Sequence, residues 1–176
     1  MSRAFYDEPS GRIIIKGLKA KPGQMDLKFR NFSGKETDKN RAGSRNFCVV
    51  ISEEDKNTIE AAVKRAGQEI NIKEYDGEYY FKVLVSYYKV PPRIERVKYG
   101  TNGQAIRTQF DESSVGNLDN ILIADASLSC SCSYVAKYKA WAVYLNTLSF
   151  TPLVDPIEEE LDAIDFGGDI DDNPFE

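Results

Sequence analysis

The stretch RNFCVVISEEDKNTIEAAVKRAG (residues 45–67) changes its period midway, and that change decides the fold class. Up to Ile51 the apolar side chains alternate, with Phe47, Val49 and Ile51 on one side, as in a half-buried strand. From Ser52 the repeat becomes helical. Ser52 is a good N-cap, and Asp55 three residues on makes a variant capping box. Ile59, Ala62, Val63 and Ala66 form a stripe of period 3.6, and Gly67 suits the position just past a helix end. The spacing predicts a helix over 53–66 directly behind a strand. It is the one strong helix of the body.

Around that stretch the chain reads as strands. GRIIIKGL (11–18) is β-branched and follows a Pro-Ser-Gly turn. In DLKFRNF (26–32), strict alternation puts Leu27 and Phe29 on one face and Lys28, Arg30 and Phe32 on the other. SGKETDKNRAGSR (33–45) is polar and glycine-bearing, the pattern of a long exposed loop. EINIKEY and EYYFKVLVSYYK flank Asp76-Gly77, a hairpin signal. In the second, Phe81, Val83, Val85 and Tyr87 share the core face, and Tyr80, Lys82, Leu84, Ser86 and Tyr88 share the other. Pro91-Pro92 ends that strand. Residues 93–117 are polar and turn-rich, with a short hairpin signal at Asn102-Gly103. NILIADASLSCSCSYV (120–135) and KAWAVYLNTLSF (139–150) read as closing strands.

These elements predict one mainly β domain over 1–154, with a helix after the third strand. Residues 155–176 form an acidic tail. In it IEEELDAI (157–164) has the spacing of a short helix, and glycine and acid follow Phe166, a composition that does not fold alone.

Composition narrows the chemistry. The 176 residues are 41% hydrophobic and 29% charged, in the globular range. No apolar run nears the roughly 20 residues of a membrane span, and MSRAFYDEPS lacks the apolar core of a signal peptide. The expectation is a cytoplasmic protein without a membrane partner. Cys48, Cys130 and Cys132 form no disulfide framework. With three cysteines and no histidine, a four-ligand zinc site is not expected, and Ser-His or Cys-His nucleophiles are excluded. Neither catalysis nor a cofactor is expected.

The net charge of −5 hides an asymmetry. Residues 155–176 hold ten acidic and no basic residues, so residues 1–154 hold 23 basic against 18 acidic, a charge of +5. A basic body points to a polyanionic partner, and an acidic tail can compete for the same surface.

Two strand faces mix aromatic and basic residues on the side away from the core: Lys28, Arg30 and Phe32, and Tyr80, Lys82 and Tyr88. Bases stack on aromatic rings while cations follow the phosphates, so this mixture suits single-stranded nucleic acid. The flanking segments add Lys35, Lys39, Arg41, Arg45, Lys89, Arg93, Arg96, Lys98 and Tyr99. A small, closed β body with one helix after the third strand resembles the OB fold, a small β-barrel that binds oligonucleotides on a sheet face and its loops.

The ending DIDDNPFE (169–176) adds a second resemblance. A basic β body with an acidic stretch and a Pro-Phe tip resembles the single-stranded DNA-binding proteins, and the phage-type members more than the bacterial ones. The resemblance implies sequence-independent coating of single strands in replication, recombination or repair, inside the host cell cytoplasm if phage-encoded. It implies that Asp169, Ile170, Asp171, Asp172, Pro174 and Phe175 dock onto replication or recombination proteins. It also implies that the tail shields the DNA groove. One departure is that Glu176 follows Phe175, which displaces the terminal carboxylate that bacterial partners grip by one residue. A homo-oligomer is left open, as is DNA against RNA. Two rival readings stand beside this one. A metal-dependent nuclease would need clustered carboxylates, for which Glu53-Glu54-Asp55 is the densest candidate. A pure interaction protein would use the acidic tail as a nucleic-acid mimic.

Overall fold

A computed structural model describes residues 2–20, 26–88 and 90–153. The tail, with the helix expected over 157–164 and residues 169–176, and Lys89 lie outside these. In chain order the elements are β1 (Arg3–Asp7), β2 (Arg12–Lys19), β3 (Asp26–Asn31), β4 (Arg45–Ile51), α1 (Glu53–Arg65), β5 (Lys73–Tyr75), β6 (Glu78–Val85), β7 (Arg93–Tyr99), β8 (Ala105–Phe110), β9 (Ile123–Val135) and β10 (Ala140–Pro152). A 3-10 turn, Val115–Asn120, precedes β9. The body is mainly β with one α-helix, as its periods predict. No helix among the described residues is long and apolar enough to cross a membrane.

α1 forms where its signals place it. Ser52 accepts a hydrogen bond from the Asp55 amide at 3.1 Å. At the other end the Gln68 amide reaches the Val63 carbonyl at 2.8 Å and the Gly67 amide reaches that of Lys64 at 3.0 Å, closing the helix on Gly67 at φ +76°. Ile59, Ala62 and Val63 face inward. The helix follows the fourth strand rather than the third, which corrects the expectation. The extra strand is β1, a short edge strand paired with β2. Only its Ala4 is buried, and Tyr6 packs partly against the core, too little apolar content to announce itself.

The strands form two halves. β3, β4 and β6 pair antiparallel, with β5 folded onto β6 through the Asp76-Gly77 turn. β1, β2, β9 and β10 form the other half, with the β7–β8 ribbon attached to β10. They meet at one parallel pair, Tyr144 against Leu84. The strand path runs from β1 to β3 without closing, so the closed barrel of the expectation is here an open, curled sheet. β10 serves both halves because a bulge between Leu145 and Thr147 redirects it. Its first part meets β6, and its second part runs beside β7. The core between the halves is built from Ile13, Ile15, Leu18, Phe47, Val49, Phe81, Val83, Leu128, Leu148 and Phe150 among others. Cys130 and Cys132 belong to it, and burial pushes both thiols up, Cys132 to about 11.

β3 also departs from strict alternation. The β3–β4 register breaks between Lys28 and Asn31, and Phe29 takes φ +53°. The bulge turns Phe29 outward, 71% exposed, and sends Phe32 inward, 0% exposed. There Phe32 stacks on Phe47, ring centroids 5.0 Å apart. The expected assignment of these two phenylalanines is therefore reversed, and Phe32 is unavailable for stacking on a base. Phe32→Ala is expected to cost about 3–5 kcal/mol of stability, the range for a buried phenylalanine. Phe29→Ala should stay within about 0.5 kcal/mol. Urea denaturation of both variants checks this, and equal losses would contradict the bulge.

Candidate nucleic-acid interface

The outer face of β6 organises the site. Tyr80, Lys82 and Leu84 point away from the core there, as alternation predicts, while Phe81, Val83 and Val85 are buried. Three hollows adjoin along this face. The first, beside β3, is lined by Phe29, Arg30, Lys35, Lys39, Asn46, Lys82 and Asp119 among others. The second lies between β6 and β10 and includes Cys48, Lys73, Tyr80, Lys82, Leu84 and Trp141. The third holds Arg45, Leu84, Tyr87, Tyr88, Glu112 and Tyr144. Lys82 belongs to the first two and Leu84 to the last two, so the three follow one another along β6 as one track. Phe29 and Tyr80 meet edge to face across its beginning, centroids 6.3 Å apart at 65°.

The track gathers many of the residues singled out in the sequence, in differing states. Lys35, Lys39 and Lys82 are exposed on it. Tyr80 and Tyr88 line it. Lys28 pairs with Glu78 at 3.0 Å. Arg41 is exposed in the loop. Arg30 is committed internally: its guanidinium donates to the carbonyls of Leu27, Leu118 and Ile121, tying β3 to the 3-10 turn. Burial draws its pKa down, against the pull of Asp26 and Asp119. Arg45 donates from Nε to the Phe32 carbonyl at 2.9 Å, reaches Glu112 at 3.4 Å and lies over the Tyr87 ring. Phe29, Lys73, Trp141 and Tyr144 belong to the track but were not singled out. Phe29 was hidden by the bulge. Trp141, Lys73 and Tyr144 arrive through strand pairing, which no local pattern encodes.

The loop 33–45 is braced rather than loose. Phe32 and Ser33 amides donate to the Asp119 carboxylate at 2.7 and 3.2 Å. Asn31 bonds Lys35 through both its side-chain atoms. Asn40 donates to the carbonyls of Lys35, Arg41 and Ser44 and accepts from Asn46. Gly34, at φ +73°, lies so close to Gly43 that a Cβ there would stand 3.1 Å from the Gly43 Cα. The fixed backbone presents Lys35 and Lys39 to the track.

Arg93, Arg96, Lys98 and Tyr99 lie elsewhere, on the β7–β8 ribbon beside the second part of β10. Tyr99 is 66% exposed and lines a separate hollow with Arg107 and Gly17. At the ribbon's base is Glu95, 5% exposed. It accepts from Ser149 at 2.9 Å, from Gln109 at 3.0 Å and from Arg107, with Arg93 at 3.9 Å. Glu53, Glu54 and Asp55 occupy the first turn of α1, where acids suit the helix dipole, and Asp55 also accepts from Ser2 at 2.6 Å. No three His, Cys, Asp or Glu side chains among the described residues are grouped to hold a metal ion.

The family described as "Putative phage ssDNA-binding domain" matches residues 15–172, and the chain belongs to it. Among solved structures it is similar to the single-stranded DNA-binding protein from bacteriophage Enc34, at 9% identity and TM-score 0.46, covering 99% of each chain. The same protein with a C-terminal truncation gives 8% identity and TM-score 0.45, over 84% of this chain and 88% of that one. In complex with ssDNA it gives 8% and 0.44, over 84% and 89%. No curated protein sequence matches the chain.

Glu95 gives the ribbon a pH dependence. Burial alone would push its carboxyl up, but the Ser149 hydroxyl and the Arg107 and Arg93 guanidiniums outweigh it, and its pKa lies below the ordinary 4.5. A lowered folded-state pKa stabilises the protein above the unfolded value, and that stability is lost as pH falls through and below it. Denaturation midpoints from pH 7 to pH 3 are expected to fall more steeply for the unaltered chain than for Glu95→Gln. Parallel profiles would show that Glu95 is not the group responsible.

Proposed function

We propose that this protein binds single-stranded DNA without sequence preference along the β6 track, as a protective coat in phage DNA replication, recombination or repair. The observation that carries the reading is the succession of three adjoining hollows that share Lys82 and Leu84. Aromatic rings and cations share one path, the combination that stacking bases and their phosphates require. A duplex buries its base faces and would leave Phe29 and Tyr80 unused. The action requires no catalysis. Lys28, Arg41, Arg45 and, by its charge alone, Lys89 add to the field that draws in the strand, and the β7–β8 ribbon with Arg93, Arg96, Lys98 and Tyr99 offers a second, more distant contact.

The acidic tail completes the proposal. Its ten carboxylates against the body's +5 make it a competitor for the track. Asp169, Ile170, Asp171, Asp172, Pro174 and Phe175 are the residues through which replication or recombination proteins would be recruited.

Fluorescence anisotropy tests this with labelled oligo-dT and a duplex of equal length, for the full chain and a version ending at Val154. Oligo-dT should bind more tightly than the duplex, and removal of the tail should tighten it. Log affinity should fall against log salt with a slope of about −0.7 per phosphate neutralised. Failure of both versions to bind oligo-dT at low salt overturns the proposal. Binding that is unchanged by truncation removes the tail from it.

A further inference from the structure

We infer that the cleft between β6 and β10 is a pocket for a single nucleobase, inserted between the strands rather than laid on the sheet. The inference rests on the proposed single-stranded DNA track and assigns one point of it. The cleft exists because the two halves of the sheet touch so little. The β5 ladder on β6 reaches Tyr80, the β10 ladder is confined to Leu84, and the edge of β6 opens between them. Trp141, Ala142 and Val143 from β10 form the opposite wall, and Cys48 and Phe81 contribute to the lining. The opening measures about 270 Å³, just below the roughly 300–1,000 Å³ of sites for drug-sized molecules. A flat ring fits the space better than a larger solute does.

Its chemistry points to the same occupant. Tyr80 and Trp141 line it from opposite strands, and the rest of the wall is largely apolar. Asn71 supplies one side-chain amide. An amide both donates and accepts, so it meets the hydrogen-bonding edge of any base and imposes no sequence. Lys73 and Lys82 also line the cleft, both exposed, where the phosphates on either side of an inserted base would pass. Trp141 is held in place by Tyr134, packed against it edge to face at 5.7 Å. The cleft lies between the other two hollows of the track, sharing Lys82 with one and Leu84 with the other, so a strand following the track must cross it.

Trp141 is the single tryptophan of the chain, so its fluorescence reports on this cleft alone. The full chain is titrated with oligo-dT and with an abasic oligodeoxynucleotide of equal length, with anisotropy of the labelled strand and Trp141 emission followed together. Oligo-dT should quench Trp141 as it binds, and the abasic strand should bind by charge without quenching. Ala142→Leu, which fills the cleft, should abolish the quench. It should also weaken oligo-dT binding between about 5-fold and 100-fold, the loss of one stacked base, with the salt slope unchanged. Bound oligo-dT that leaves Trp141 unquenched overturns the cleft and leaves the track standing, as does equal quenching by the abasic strand. Absence of any binding overturns both.

Discussion

Everything on the functional face depends on how β10 is shared. A strand has two edges, and β10 gives one to β9 along its whole length. The other is divided between β6 and β7, with the bulge between Leu145 and Thr147 separating the two uses. A straight β10 would pair with one neighbour and exclude the other. The bend keeps the core continuous, because Leu145 and Leu148 both stay buried across it. It also limits strand pairing with β6 to one residue pair, which opens the cleft at the centre of the track.

The helix, the Asp76-Gly77 hairpin and the buried faces of β4 and β6 were legible in the sequence, because each is a local pattern. Capping residues, a period and a turn dipeptide act within a few positions of one another. β1 was not legible: an edge strand with one buried alanine has almost no pattern to read. Closure was not legible either. Whether a curled sheet seals depends on whether its end strands, β1 and β3, are brought together, and that is set by pairings elsewhere in the sheet, such as Arg12 with Ser131.

The site was legible in type rather than in membership. Lys35, Lys39, Tyr80, Lys82 and Tyr88 do meet on one track. Phe32 does not, because two phenylalanines three residues apart cannot share a face in a regular strand, and the bulge reversed the choice between them. Arg30 and Arg45 show a different gap. Sequence counts charge, but not whether a guanidinium is already bonded to backbone carbonyls. Trp141 and Tyr144 needed the strand order, which only the folded chain supplies.

The bracing of the loop 33–45 has a consequence for the kinetics of encounter. Ordering one backbone residue costs roughly 1–2 kcal/mol, and a floppy loop of this length would have to meet that cost as each strand arrived. Here Asn31, Asn40 and Asp119 meet it during folding. Lys35 and Lys39 are held in place before any ligand arrives, so binding along the proposed track need not wait for the protein to rearrange. A contact surface finished in advance lets the proposed track take up a strand at the rate at which the two meet.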